Sequence, residues 1–523
     1  GGGIGTSWDE VREMGEPVGT RGKTSGIIPF IHMQDGATLG VSQGNLRRGS
    51  AAAYLSVKHP EIEEFLEIRD PTGGDPHRKA LNLHHGVVIP DSFMRAVKDD
   101  LDWRYESRYD GRPVGEPFKA RVLWQKILQK RIKTGEPYLW FVDNVNNQRP
   151  EVYKRNKLFN GQSNLCSEIT LSTHVDYNNR RRTAVCCLSS LNLETWDQWQ
   201  GNERFIFDVM RFLDNVMSNF IRKTEGQPGF ERARYAAMQE RSVGLGVMGF
   251  HSYLQSKMIP FESALSKSFN FRVFKWLKAT ADKVNQELAL ELGPCPDAER
   301  VGLMVRFSHV FAIAPTASIS IIAGNASPGI EPIPANSVRQ KTLSGNFAVR
   351  NKWLQALLRM KYVEIHGYDT SDMDYDAKER EWVEAQWELI DAAKGSVQSL
   401  PYLSDDEKDV FKTAFELDQR WIIEHAADRQ PYICQGQSVN VFLPATVSKK
   451  VLNEIHFSAW QKNLKGLYYC RSRSIQQATN VAGEMPQAVP PTPVHIEPNN
   501  PTVEDVVEPV FTDNQYDECL ACQ

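Results

Sequence analysis

The stretch Asn164-Leu165-Cys166-Ser167-Glu168 places an amide, a thiol and a carboxylate at every second position. In an extended segment alternate side chains share one face. On that reading Asn164, Cys166 and Glu168 point together at one substrate, as hydrogen-bond donor, sulfur and proton acceptor. Taken alone, the spacing fits a chance pattern in a loop equally well. The remainder of the chain decides between the two.

The chain has 523 residues, 41% of them hydrophobic and 24% charged. That length exceeds a usual single domain and fits two or three domains or one large barrel. No apolar run approaches the roughly 20 residues that span a bilayer; the richest, 311–324, is interrupted by Thr316, Ser318 and Ser320. No basic-then-apolar signal pattern opens the chain. Eight cysteines are too sparse for a disulfide scaffold, so the composition reads as cytoplasmic, with thiols kept for chemistry. From Ser474 to Gln523 there are eight acids and no Lys or Arg; subtracting that −8 from the total of −4 leaves the body at +4. A mildly basic body suits a phosphorylated small molecule and is too weak for nucleic acid.

Strand-like and helix-like segments alternate. Leu83 to Pro90 reads as a buried strand, with Asp91 as N-cap of a helix over Ser92 to Val97. Tyr138 to Val142, Phe311 to Ala314, Tyr432 to Phe442 and Leu464 to Tyr469 read as further strands. Phe274 to Leu292 has helical periodicity and stops at Gly293-Pro294. This order argues for a mainly parallel α/β sheet or barrel. Residues 1–482 form the α/β portion. Residues 483–523, with seven prolines and many acids, form a flexible, disordered tail.

Other motifs follow in order. Cys186 and Cys187 sit in Ala184-Val185-Cys186-Cys187-Leu188. A vicinal disulfide there is strained, so Cys187 reads as a packed small hydrophobe. Pro315-Thr316-Ala317-Ser318-Ile319-Ser320 follows a strand and offers hydroxyls and N–H groups, as a phosphate cradle or an ordinary capped turn. Tyr468-Tyr469 fits strand aromatics. Ideal strand geometry sends the two rings to opposite faces, so stacked rings require a break in the strand. Cys519-Leu520-Ala521-Cys522 fits half a zinc site or, since no second C-x-x-C exists, a redox pair. The 36 residues from Gly483 to Cys519 give a flexible reach of about 30–36 Å. Gly244 to Gly249 fits G-x-G-x-x-G, but the polar Met238 to Ser242 precedes it, so it is not a dinucleotide site.

In this order and spacing the chain resembles the large, catalytic subunit of class I ribonucleotide reductase, along essentially its whole length. The resemblance implies a ten-stranded α/β barrel, incomplete at its N-terminal side, with a central finger loop near 164–168. It implies reduction of ribonucleoside diphosphates by a thiyl radical on Cys166, with Glu168 as general base and Asn164 holding substrate hydroxyls. Cys186 then delivers reducing equivalents, Tyr468 and Tyr469 end a radical-transfer chain, and Cys519 and Cys522 shuttle electrons from thioredoxin or glutaredoxin. Thr316, Ala317, Ser318, Ile319 and Ser320 bind the diphosphate, and Gly3 contacts substrate. Arg12, Arg21, Gln43 and Arg47 belong to effector and specificity elements that read dNTP or ATP, although Arg-rich loops are usually solvated. No cofactor or metal is bound by the chain itself; a metal-containing small subunit supplies the radical. The Gly-rich 244–249 stretch has a counterpart in the family, where it serves close packing.

The resemblance begins in mid-barrel. No cysteine precedes Cys166, so the thiol partner of Cys186 is missing; either a second polypeptide supplies it with the first barrel strand, or the chain is a processed or trimmed product. Two rival readings remain at this point. One is a non-catalytic nucleotide-binding fragment; the other is a thiol-disulfide oxidoreductase working through Cys519 and Cys522.

Overall fold

The computed structural model describes residues 3–20, 22–43, 47–342, 345–368 and 373–473. A five-stranded sheet forms the first wall. Gly3–Ser7, Ser50–Ser56, His84–Ile89 and Tyr138–Phe141 run parallel in that order, and Gly466–Leu467 closes the edge antiparallel to Tyr138–Phe141. His84–Ile89 and Tyr138–Phe141 are buried along their whole length, which is why they read as continuous rather than alternating apolar runs. The helices Ile28–Gly40, Asp91–Asp99 and Ala120–Thr134 lie between these strands in sequence, as parallel pairing requires of its crossovers.

The second wall is built more loosely. Cys187–Asn192 pairs in parallel with Val243–Met248. Single parallel bridges then carry the pairing onward, from Leu245 to Phe311 and from Ile313 to Gln437. Val441–Pro444 and Cys470–Arg473 form a further parallel pair. The helices Glu203–Lys223 and Ala264–Leu292 contribute Ile206, Met210, Val273, Leu277 and Leu288 to the same main core. A smaller, separate core around Trp387, Leu358 and Phe411 joins the helices Lys352–His366, Tyr375–Ala392 and Asp405–Val410. The architecture is therefore α/β. The described strands form one five-stranded sheet and separate pairs, not a closed ring of ten.

Several local expectations shift. Asp91 is the first residue of its helix, and Pro90 takes the N-cap position. The Phe274–Leu292 periodicity is the C-terminal part of a longer helix, Ala264–Leu292, with Gly293 at φ 83° ending it. The glycine-rich 244–249 stretch is itself the strand Val243–Met248 followed by Gly249. A Cβ on Gly244 would lie 2.3 Å from Leu188 Cδ2, and one on Gly246 would lie 2.6 Å from the Ala312 carbonyl oxygen. The glycines let two neighbouring segments approach the strand. Residues 433–440 have no regular secondary structure before Val441–Pro444, so the expected strand over 432–442 is mostly an irregular extended segment. The tail from residue 474, including Cys519 and Cys522, lies outside the described residues.

Candidate active site

Asn164 to Glu168 is not an extended strand. Residues 165–167 form a turn with Ser167 at φ 67°, so the alternating-face argument fails. The turn is held from three sides. Tyr54 donates to the Asn164 carbonyl at 2.7 Å and lies 3.1 Å from Ser167 Oγ. Ser438 Oγ donates to the Cys166 carbonyl at 2.6 Å and to Glu168 Oε2 at 3.3 Å. The Gly436 N–H donates to the Glu168 carbonyl at 2.7 Å. Clearance matters as much as bonding: a Cβ on Gly5 would sit 1.9 Å from the Ser163 oxygen, and one on Gly436 3.0 Å from the oxygens of Ser167 and Glu168. Gly3, expected against substrate, faces Leu165, whose Cδ2 a Cβ there would meet at 2.5 Å.

Cys166 and Glu168 are both 0% exposed. Burial pushes the Glu168 carboxyl up to about 7, with hydrogen bonds from its own backbone, Asn164 and Ser438 offsetting only part of the effect. Glu168 Oε1 has no hydrogen-bond partner among the described residues. A carboxylate poised near neutrality with an open oxygen is suited to take a proton from a bound hydroxyl. Asn164 Oδ1 accepts from the Ile169 N–H at 3.3 Å, which orients its amide beside Glu168.

Tyr468 and Tyr469 lie between the strands Gly466–Leu467 and Cys470–Arg473, where the backbone leaves strand geometry. Their rings are 4.2 Å apart between centroids and tilted by 53°. Tyr468 Oη donates to Cys166 Sγ at 3.4 Å. Tyr138, not singled out in the sequence, packs on both rings at 4.7 and 5.1 Å. Tyr469 Oη lies 3.2 Å from His84 Nδ1, which in turn lies 2.5 Å from Glu136 Oε1. Burial pushes Glu136 up, but Arg69, His84 and His85 outweigh it and hold the carboxyl well below the usual range. Cys470 is a core residue, its thiol pushed up to about 11 by burial.

Cys186 and Cys187 are free, half-buried thiols at the entry to Cys187–Asn192. Burial pushes the Cys186 thiol well above its ordinary value, and a hydrogen bond from Gln435 opposes it. Thr316 is buried at φ 55°, and its Oγ1 accepts from the Gly329 N–H at 2.7 Å. Ala317 and Ser318 are partly open, and the four-residue helix Ile319–Ile322 follows. Arg12 donates to the Pro17 carbonyl and lies 5.7 Å over the Tyr109 ring. The backbones of Gln43 and Arg47 pair in a short antiparallel ladder. Arg21, and the side chains of Gln43 and Arg47, lie outside the described residues. Among the described residues no group of three or more His, Cys, Asp or Glu could hold a metal ion, and no helix is long and apolar enough to cross a membrane.

The sequence reading missed Gly5, Tyr54, Tyr138, Gln435, Gly436 and Ser438. Only the Gln435-Gly436-Gln437-Ser438 run carried a signal: four small or polar residues inside an otherwise apolar strand candidate.

The family model "Ribonucleotide reductase, barrel domain" matches residues 1–303 and 299–470. The chain is 38% identical over 549 aligned residues to the ribonucleoside-diphosphate reductase large subunit of Invertebrate iridescent virus 3, covering 93% of this chain and 83% of that one. It is 45% identical over 328 residues to the large subunit of Invertebrate iridescent virus 6, covering 62% of this chain and 32% of that one. Among solved structures it is similar to the Actinobacillus ureae class Id ribonucleotide reductase alpha subunit, with a TM-score of 0.75, 33% identity, and coverage of 92% of this chain and 79% of that one. The matched residues contain the Cys166 turn, the tyrosine pair and Cys186 alike, and the chain belongs to the ribonucleotide reductase barrel-domain family.

Proposed function

We propose that this chain acts as the large subunit of a class I ribonucleoside-diphosphate reductase, forming 2′-deoxyribonucleoside diphosphates by thiyl-radical chemistry. One observation carries the reading: Tyr469, Tyr468 and Cys166 lie in van der Waals and hydrogen-bond succession, and Glu168 shares the cysteine's buried turn. In this reading Tyr469 loses an electron and a proton to an oxidant on a radical-supplying, metal-containing small subunit. Tyr468 is oxidised next and takes the S–H hydrogen of Cys166 along the 3.4 Å contact. The sulfur radical removes the substrate's 3′ hydrogen, and Glu168 accepts the 3′-hydroxyl proton. The 2′ hydroxyl leaves as water with a proton from one of two reducing thiols, Cys186 and a second thiol from outside these residues. The pair becomes a disulfide, and its two electrons and remaining proton go to the 2′ carbon. Glu168 returns its proton to the 3′ oxygen, and Cys166 returns the 3′ hydrogen.

The same proposal assigns Asn164 and Gly3 to the sugar and base side of the substrate and residues 316–320 to its diphosphate. Arg12, Arg21, Gln43 and Arg47 answer to dNTP or ATP effectors. Cys519 and Cys522 re-reduce Cys186 with electrons from thioredoxin or glutaredoxin, in the cytoplasm. The two walls are taken as parts of a ten-stranded barrel, incomplete at its N-terminal side, around a central finger loop near 164–168.

The deciding experiment replaces one atom. Cys166→Ser in the assembled enzyme should bind nucleoside diphosphate as well as wild type and form no deoxynucleotide. Product from that variant would sink the reading.

A further inference from the structure

One irregular segment, 434–440, touches the Cys166 turn, the tyrosine pair and Cys186. Its Gly436 and Ser438 hold the Cys166 turn, Asn440 Oδ1 accepts from the Tyr469 N–H at 2.9 Å, and the Val439 carbonyl accepts from the Tyr468 N–H at 2.8 Å. Gln435, at the other end, has no role in the reading above. It is 0% exposed, and each of its polar groups is engaged. Its Oε1 accepts from the Thr170 N–H at 3.2 Å. Its Nε2 donates to the Val243 carbonyl at 3.1 Å and to Cys186 Sγ at 3.5 Å. Its backbone N–H donates to the Phe311 carbonyl at 3.0 Å, and its carbonyl accepts from Lys465 Nζ at 2.8 Å.

These contacts fix the amide orientation. Thr170 N–H needs an oxygen and the Val243 carbonyl needs an N–H, so a flipped amide would lose both bonds. One N–H of Gln435 is therefore left aimed at the sulfur. The sulfur is hemmed in on its other sides, since a Cβ on Gly244 would approach it to 3.1 Å and Ala312 packs beside it. Thr170 follows the Cys166 turn directly, so a single side chain spans the turn and the reducing cysteine.

We infer that Gln435 is a positioning residue for Cys186: its amide fixes the sulfur's place beside the Cys166 turn and stabilises the thiolate that disulfide exchange requires. The inference rests on the reading of Cys186 as the reducing thiol. Thiolate, not thiol, attacks a disulfide, so a donor to sulfur favours the reactive form. The other ionisable groups around Cys186 push the opposite way or are neutral. Glu168 on the turn, Glu240 at the end of the helix Glu231–Glu240 and the neighbouring Cys187 each disfavour a negative sulfur. Tyr153 and Tyr177, from the same small cluster, are held protonated by burial. Gln435 Nε2, at 3.5 Å, is the donor that faces this sulfur.

The test is the pH dependence of iodoacetamide alkylation, resolved by peptide mass spectrometry on the reduced full chain. Cys187 is the internal control, because it is the adjacent residue and has no hydrogen bond from the amide. Gln435→Leu should move the Cys186 midpoint up by about one pH unit, the effect of losing one hydrogen bond to a charged sulfur, and slow alkylation correspondingly at a fixed lower pH. Gln435→Glu keeps the acceptor for Thr170 and faces the sulfur with oxygen, so it should move the midpoint further up. Cys187 should stay in place in both variants. If Gln435→Leu does not fold, the Glu variant decides. A Cys186 midpoint that moves no further than that of Cys187 overturns the inference. Alkylation needs neither substrate nor partner. A shift in a chain that never reduces nucleotides would keep the contact and sink the functional reading, whereas turnover without a shift would do the reverse.

Discussion

Cys166 and Cys186 meet one segment at different residues, Ser438 and Gln435, and are housed in opposite ways. Cys166 is fully buried on a turn clamped by Tyr54, Ser438 and two glycines, with a tyrosine hydroxyl on its sulfur. Cys186 is half-open at the mouth of a strand, with a single amide donor. The difference follows from the chemistry proposed for each. A sulfur that exchanges hydrogen atoms must keep water and other reductants away and hold its partners at contact distance. A sulfur that exchanges electron pairs with a visiting dithiol must be reachable. In that proposal the first sulfur works when reduced and enclosed, although in this structure it stands in a disulfide; the second is a free thiol on the access side.

The comparison breaks first at the tyrosines. Tyr468→Phe removes the hydroxyl on Cys166 and keeps the ring, so folding should survive while nucleotide reduction falls below detection; the same holds for Tyr469→Phe. Near wild-type turnover in either variant would make the pair structural, and Cys166 would then be merely buried. Next comes Glu168→Gln, which should lower turnover by about 10²–10⁴-fold, the range of general-base contributions. Wild-type turnover should rise with pH through about 7, because burial holds the acid form up to that value and only the carboxylate accepts a proton. The Gln variant should lose that limb, and a pH–rate profile checks it. The stability sign is the reverse of the usual carboxylate case. A carboxyl whose folded pKa is raised destabilises the fold progressively from its unfolded value upward, fully so above about 7. Glu168→Gln should therefore raise the melting temperature at pH 8 and change it little at pH 4.

A smaller effect is expected at Gly5. Gly5→Ala forces the 163–164 backbone away from the first strand. It should cost roughly 1–3 kcal/mol of stability, read by denaturant unfolding, and reduce turnover more than Cys186 alkylation. Equal losses at both sites would mean the two are not independently housed. The smallest effect belongs to Cys187→Ala, whose sulfur touches neither Gln435 nor the turn in the bonds described. Turnover should change less than about twofold, as for a substitution away from the chemistry. A large loss would show that the access side includes both cysteines.

The sequence singled out Cys166, Glu168, Cys186 and the tyrosine pair for the atoms they carry, because few other residues supply a thiol, a base or an oxidisable ring. The structure brings Cys166, Glu168 and the tyrosine pair together; their chemistry there is the proposal above. The strands His84–Ile89 and Tyr138–Phe141 were legible because burial on both faces leaves an unbroken apolar run. The alternating-face account of 164–168 failed because a tertiary clamp overrode local geometry: Ser167 takes a left-handed conformation that no spacing rule announces. Gly5, Gly436 and Tyr54 were invisible for a related reason. Their roles are clearance and a long-range hydrogen bond across 110 residues, and neither leaves a periodic mark. The second core around Trp387 went unseen because its helices are patterned like those of the main core.

The glycine clearances around the turn also bear on the order of assembly. Residues 163–168 are closed in by Gly5 and Tyr54 on one side and by Gly436 and Ser438 on the other, partners up to 272 residues away in the chain. Contacts of such separation form late, because the loops they close are long. The slot into which the turn fits does not exist until both walls stand, so the turn is the keystone, seated after the arch is raised. A half-folded chain thus has no aligned tyrosine–cysteine contact. On the proposed mechanism, a carbon-attacking sulfur radical would become available only once the surroundings that contain it are complete.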